Sequence, residues 1–186
     1  MHEKRFGGEN SLQSDIDRLR SPQRVERLEI ERVVSLCLEG LEAQNVLDVG
    51  VGSGLFAEEF YRRGLAVAGI DVNPAMIAAA RQYVPAGIFR EGMAEQLPEA
   101  DASYDLVFFG LVLHESDEPL KVLQEAHRVA RQRVCILEWP YREEEVGPPL
   151  AHRLIPVDIA QWVDQAGYTC LEKMTLNQLN LYRLTI

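Results

Sequence analysis

The 186-residue chain has only three cysteines, Cys37, Cys135 and Cys170. They are odd in number, far apart in sequence and form no CxxC pair. No disulfide framework or thiol-based zinc cluster follows from such spacing. With no secretory leader ahead of them, a reducing, cytoplasmic setting is expected. Cys135 lies in the apolar run Val134-Cys135-Ile136-Leu137 and reads as a small buried hydrophobe. Long apolar runs are also missing. No segment approaches the roughly 20 apolar residues needed to span a bilayer, so no membrane partner is expected.

Positive charge is scarce. Nineteen Lys and Arg face 29 Asp and Glu, a formal charge of −10. A field of that sign repels a phosphate backbone, so nucleic acid is not an expected partner. Arg128, Arg131 and Arg133 cluster near one helix end, where cations complement the helix dipole. Apolar residues at 47% and charged residues at 26% place the chain with ordinary globular proteins. Its length suits a single domain over 1–186.

What the chain does contain is alternation. Residues 1–22 are polar, carry Gly7-Gly8 and show no sustained period, so they read as an N-terminal arm. Ser21-Pro22 then opens an amphipathic helix running to Gly40. From Val46, short apolar runs at 46–50, 66–70, 87–90, 105–109 and 133–138 read as buried strands separated by helical stretches. Asn73-Pro74 and Pro119 mark two helix starts. Such alternation predicts an α/β fold with a mostly parallel sheet, right-handed crossovers and helices on both faces. After Trp139, Glu143-Glu144-Glu145 and Gly147-Pro148-Pro149 mark a loop over 140–156. A helix follows over 157–166, then two β-rich runs, 168–174 and 178–185. Their short connection forces an antiparallel pair.

Asn45–Gly54 reads NVLDVGVGSG. A strand that runs into Gly50, Gly52 and Gly54 and then a helix places backbone N–H groups at the carboxyl edge of a sheet, where anionic or polar ligand groups bind. The spacing is GxGxG, because Leu55 occupies the third glycine position of a GxGxxG dinucleotide fingerprint. Asp48 is an acid inside an apolar strand and needs hydrogen-bond partners such as the loop's own amides. Asp71 ends the second strand, 21 positions after Gly50. An acid there grips ribose hydroxyls in nucleotide-binding sheets.

Together with AGIDVNPAMIAAAR, EGMAEQLPEADASYDLVFFGLVLHE and EAHRVARQRVCILEWP, this segment resembles the class I S-adenosylmethionine-dependent methyltransferases, in the subgroup of ubiquinone and menaquinone biosynthesis enzymes. The resemblance runs from about Asn45 to Trp139. It implies a Rossmann-like seven-stranded sheet of order 3-2-1-4-5-7-6 with the last strand antiparallel, and S-adenosyl-L-methionine as cofactor. It implies that Gly50, Gly52 and Gly54, next to Phe56, wrap the methionine end while Asp48 braces the loop. Asp71 would hold the ribose, with Val72 and Met76 against the adenine. Family members often carry an acid where this chain has Met93, which leaves backbone groups of Met93 and Ala94 to read the adenine. Phe109, Gly110 and Leu111 match the residues that pass the amino acid and sulfonium.

Methyl transfer from a sulfonium is an in-line displacement, and holding the acceptor behind the methyl supplies much of the rate. A protonated acceptor also needs a base. His114 and Glu115 follow the fourth strand and are the candidate catalytic residues. HExxH spacing fails because Glu118 stands where the second histidine is required, so no metal is expected. A small-molecule acceptor is expected between the arm, with His2 and Phe6, and the loop with Trp139, Tyr141, His152 and Arg153. Two other readings stay open: a non-catalytic S-adenosylmethionine-binding accessory protein, and an NAD-binding oxidoreductase.

Overall fold

In the computed structural model, the backbone is described over residues 9–186 and the side chains from Ser14 onward. The expected roles of His2 and Phe6 lie outside the described residues.

Seven strands form one sheet of order β3-β2-β1-β4-β5-β7-β6. They are β1 (Asn45–Val49), β2 (Ala66–Asp71), β3 (Ile88–Glu91), β4 (Tyr104–Gly110), β5 (Ala130–Glu138), β6 (Cys170–Thr175) and β7 (Asn180–Thr185). The pairs β1 with β2, β1 with β4, β2 with β3 and β4 with β5 are parallel. Strand β7 runs antiparallel to both β5 and β6. The strand order and the reversed last strand match the expectation from sequence.

Side chains alternate across the sheet, and each face has its own helices. On one face Val46, Phe108 and Cys135 pack with α3 (Ile30–Leu38), α4 (Leu55–Arg62) and α5 (Pro74–Tyr83). Phe108 anchors this layer, its ring 4.7 Å from Phe56 and 5.4 Å from Phe60. On the other face Leu47, Val107 and Ile136 pack with α6 (Pro119–Val129) and α7 (Pro156–Gln165). There Tyr168 donates its hydroxyl to the Leu123 carbonyl at 2.9 Å, and burial raises its pKa.

The N-terminal region departs from the expected irregular arm and single long helix. Residues Glu9–Leu19 form helix α1, and Pro22–Leu28 form α2. The break before α3 falls at Glu29, whose φ of 45° lies in the left-handed region. Glu29 is held there by tertiary bonds: its carboxylate accepts from the Asn177 amide at 2.9 Å and from Arg32 at 2.7 Å. Periodicity of apolar residues cannot register such a kink, because Leu28 and Val33 remain on one buried face on either side of it.

The three arginines where α6 passes into β5 act as struts. Arg128 bonds Glu125, Asp101 and the carbonyls of Leu97 and Glu99. Arg131 bonds the carbonyls of Ala102 and Ser103, and Arg133 those of Cys37 and Glu39. Among the described residues, no helix is long and apolar enough to cross a membrane.

Candidate active site

The carboxyl ends of β1, β2 and β4 converge on a cavity of about 500 Å³. Its floor is the glycine loop. Gly50 and Gly52 have φ values of +71° and +52°, a region that favours glycine. At Gly50 a Cβ would lie 2.3 Å from Cγ2 of Val112, so only a hydrogen fits under the chain leaving β4. At Gly52 a Cβ would meet no heavy atom within 4 Å, and the residue lines the cavity. Its missing side chain keeps that wall open. Gly54 serves the following helix instead. It begins α4 at a φ of +78°, and its Cα side approaches Ala80 of α5, 3.1 Å from a built Cβ.

Asp71 braces the loop, whereas Asp48 takes its amide from Ala57 of α4 and not from the loop. Asp71 accepts the Gly52 amide on Oδ2 at 2.8 Å and the Asn73 amide on Oδ1 at 2.9 Å. Asn73 in turn caps α5 by accepting the Ala75 amide at 3.0 Å. Asp48 is buried. Burial and the charge of Asp71 push its pKa well above the usual carboxylate range, against the lowering effect of the Ala57 amide.

Of the expected cofactor residues, Asp48, Gly50, Gly52, Phe56, Asp71, Val72, Met76, Ala94, Gly110 and Leu111 all line this cavity. Gly54, Met93 and Phe109 do not. Phe109 pairs with Val49 in register and points with it into the α6 and α7 layer, a consequence of the two-residue period of the strand. Met93 is 58% exposed and forms an isolated bridge with Gln96. Leu111 is bulky yet adopts a φ of 64°. Strain of this kind collects where a chain is shaped for a ligand.

Glu115 lines the cavity, whereas His114 beside it does not. His114 Nδ1 lies 2.8 Å from Oε2 of Glu138, and its backbone amide donates to Oε1 at 3.1 Å. Glu138 is buried at the end of β5 and also accepts the Trp139 amide at 3.2 Å. A carboxylate that only accepts requires Nδ1 to donate, which leaves Nε2 as the ring's acceptor. Burial lowers the His114 pKa, but the Glu138 bond and charge, with Glu115, outweigh it and the net shift is upward. Glu138 closes a run of eight strand residues with an acid, the signal by which sequence reading misses it and by which it is recognisable in retrospect.

The loop after β5 does not reach the cavity. Neither Trp139, Tyr141, His152 nor Arg153 lines it. Arg153 is a buried knot for its own loop and is not placed as an anion contact. Its guanidinium donates to the carbonyls of Pro140, Arg142, Val146 and Pro148 at 2.7–3.1 Å and pairs with Glu144 at 3.3 Å. It also lies 5.4 Å from the Trp139 ring, which is buried in the core. Tyr141 is exposed. Among the described residues, no group of three His, Cys, Asp or Glu is placed to hold a metal ion.

The missing wall comes from the N-terminus. Asp15, Arg18 and Leu19 of α1 and Arg24 and Leu28 of α2 line the cavity opposite the glycine loop. Arg20 ties this wall down. It donates to the Ser53 carbonyl at 3.0 Å, pairs with Glu58 of α4, and stacks 3.4 Å from the centre of the Tyr83 ring.

A profile described as a methyltransferase domain matches residues 47–136. An uncharacterised methyltransferase of Synechocystis sp. is 30% identical over an alignment of 162 positions that covers 77% of this chain and 76% of that protein. Demethylmenaquinone methyltransferase of Chlorobaculum parvum is 34% identical over 99 residues, 53% of this chain and 41% of that protein. The crystal structure of a SAM-dependent methyltransferase from Aquifex aeolicus superposes with a TM-score of 0.77 at 25% identity, covering 93% of this chain and 97% of that one.

Proposed function

Because the chain belongs to the class I S-adenosylmethionine-dependent methyltransferases, we propose that it methylates a small-molecule acceptor held between the glycine loop and the N-terminal helices. S-adenosylmethionine is its cofactor. The observation that carries the proposal is the cavity that joins the glycine loop, Asp71, the chain after β4 and the α1–α2 wall.

The lining fits an adenosyl amino acid. Asp71 would hold the ribose: each carboxylate oxygen already accepts one backbone amide, and each keeps a second lone pair for a hydroxyl. Ile70, Val72, Met76 and Ala94 offer apolar surface for the adenine. The amino acid would lie along Gly50, Gly52, Gly110 and Leu111. Bound there, the cofactor supplies an electrophilic methyl group open to in-line displacement.

The remaining lining, from Leu19, Leu28, Val112 and Glu115, would orient the acceptor and keep water out. Glu115 stands at the cavity and is the group proposed to receive an acceptor proton. His114, anchored through Nδ1, offers Nε2 behind it. A cavity of about 500 Å³ must admit both the cofactor and the reacting end of the acceptor, which favours a small molecule. The Chlorobaculum relative is named for demethylmenaquinone, an acceptor of that class.

The test begins with calorimetric titration of S-adenosylmethionine, S-adenosylhomocysteine and NAD into the wild type and Asp71→Ala. Micromolar binding of the two adenosyl sulfur ligands alone, weakened tenfold or more in the variant, is expected. Labelled methyl transfer into fractionated cell extract then reads the acceptor. Label recovered only in protein or nucleic acid overturns the small-molecule assignment.

A further inference from the structure

The end of the cavity beyond Asp71 is walled mainly by apolar groups. Ile70, Val72, Met76 and Ala94 line it from the end of β2, the start of α5 and the turn after β3. At Gly92, also in the lining, a Cβ would lie 2.9 Å from Cγ2 of Ile70, so bare backbone completes that wall. Ile70 and Met76 are buried, whereas Val72 is 66% exposed and Met93, next to Ala94, is 58% exposed. The walls thus run from a buried floor to an open, apolar rim.

The polar groups around this end are mostly committed. Asp71 and Asn73 line it, but Asp71 accepts the amides of Gly52 and Asn73, and Asn73 accepts that of Ala75. Their acceptors are tied to the glycine loop and the start of α5. Glu91 and Glu95, the acids on either side of Met93, do not line the cavity, and Glu95 accepts the Ser116 hydroxyl at 2.5 Å. The Met93 carbonyl accepts the Gln96 amide at 3.2 Å, and the Gly92 amide donates to the Asp71 carbonyl at 3.1 Å. Among the described residues, the Ala94 amide donates to no acceptor.

Adenine carries donor hydrogens on its 6-amino group. A site built to bond such an N–H rejects an analogue that lacks it, whereas an apolar pocket does not. We propose that this end of the cavity holds the nucleobase by its apolar walls and the free Ala94 amide, and that Met93 at the rim leaves the 6-amino group unread. Adenosyl sulfur ligands alkylated on that amino group are then accepted as readily as the unmodified ones. The proposal rests on reading the cavity as the cofactor site with the base at this end. Substituents on the amino group pass out between Val72 and Met93, where exposure leaves them room.

The experiment titrates three ligands into the wild type and into Met93→Asp, after melting establishes that the variant folds. They are S-adenosylhomocysteine, its counterpart with two methyl groups on the 6-amino nitrogen, and S-ribosylhomocysteine, which lacks the base. In the wild type the two adenosyl ligands are expected to bind within about threefold of each other, less than one charge-assisted bond supplies. S-ribosylhomocysteine should bind about tenfold or more weakly, because the apolar walls lose the base. In Met93→Asp the new carboxylate accepts from the amino group, so S-adenosylhomocysteine should tighten about tenfold while the dimethyl ligand does not. Loss of tenfold or more on dimethylation in the wild type overturns the proposal, since another group then reads the amino hydrogens. Equal binding of S-ribosylhomocysteine overturns it as well, because the base is then not held. If Met93→Asp discriminates no better than the wild type, the role given to Met93 falls. Failure of the wild type to bind any of the three strikes the cofactor reading together with the proposal, whereas tight but discriminating binding strikes the proposal alone.

Discussion

Nδ1 of His114 sits 2.8 Å from a buried oxygen of Glu138, joining the turn after β4 to the end of β5. Because Glu138 also accepts the amides of His114 and Trp139, its carboxylate is a fixed acceptor and the imidazole cannot turn freely.

The net upward shift of the His114 pKa from 6.5 sets a pH dependence of stability. A group whose folded pKa is raised contributes stability fully below its unfolded value and loses it as pH rises through the folded one. The wild type is therefore expected to lose part of its stability as pH climbs from about 6.5 upward. Urea midpoints measured from pH 5.5 to 9 in parallel with Glu138→Gln check this. The difference between the two proteins should be largest at the acid end and shrink with pH; a constant difference sinks the linkage.

Strand positions are legible in the sequence because buried parallel strands are near-continuous apolar runs. Val46–Val49 and Leu106–Phe109 need no alignment to be recognised. Their faces are less so. Phe109 and Phe108 are equally apolar, and only the register with Val49 and Asp48 sends the first to the α6 side and the second to the α4 side. The glycine loop and Asp71 are likewise legible, from a strand, a turn and a fixed distance. The N-terminal wall is not. Asp15, Arg18, Leu19, Arg24 and Leu28 line the cavity from a stretch of mostly polar sequence, and Arg24 has no local signature apart from its place one turn before Leu28. Arg153 misleads for the converse reason: its five acceptors are mostly backbone carbonyls, which carry no sequence signal.

Gly50→Ala tests the close approach under the chain after β4. The φ of +71° costs an alanine about 1–2 kcal/mol, and contact of its Cβ with Val112 adds overpacking of roughly 1–3 kcal/mol. Adding Val112→Ala should recover the second part and leave the first. Denaturant midpoints of the two single variants and the double variant give the coupling directly. Additive effects would mean that the loop shifts away from Val112 at no cost.

Arg153→Met is expected to unfasten the loop over 140–152 while the sheet stays intact. The substitution keeps much of the side-chain volume but deprives the carbonyls of Pro140, Arg142, Val146 and Pro148 of their donor. Losing several charge-assisted bonds in a buried setting costs on the order of 3 kcal/mol or more. Limited proteolysis should cut within the Glu143–Pro148 stretch of the variant at protease levels that spare the wild type. Since the loop does not line the cavity, affinity for S-adenosylhomocysteine should change by less than about threefold, well under the roughly tenfold effect of one charge-assisted bond. A large loss of affinity would return the loop to the ligand site.

Arg20 gives the opposite case, a residue whose removal should be felt at the ligand more than in the fold. Its three attachments, to the Ser53 carbonyl, Glu58 and the Tyr83 ring, all hold the α1–α2 segment against the cavity. An arginine over an aromatic face and a partly exposed ion pair together contribute about 1–3 kcal/mol. In Arg20→Ala that energy is lost from the wall alone, because α4 and α5 keep their packing through Phe60 and Ala80. Hydrogen exchange should therefore quicken over the described part of α1 and in α2, while β1 and β4 keep their protection. S-adenosylhomocysteine should bind several-fold more weakly, since ordering the wall now draws on binding energy. If exchange in α1 is unchanged, the wall is held by its apolar contacts and Arg20 is a surface residue. If exchange rises but affinity does not, the wall encloses the cavity without touching what binds in it.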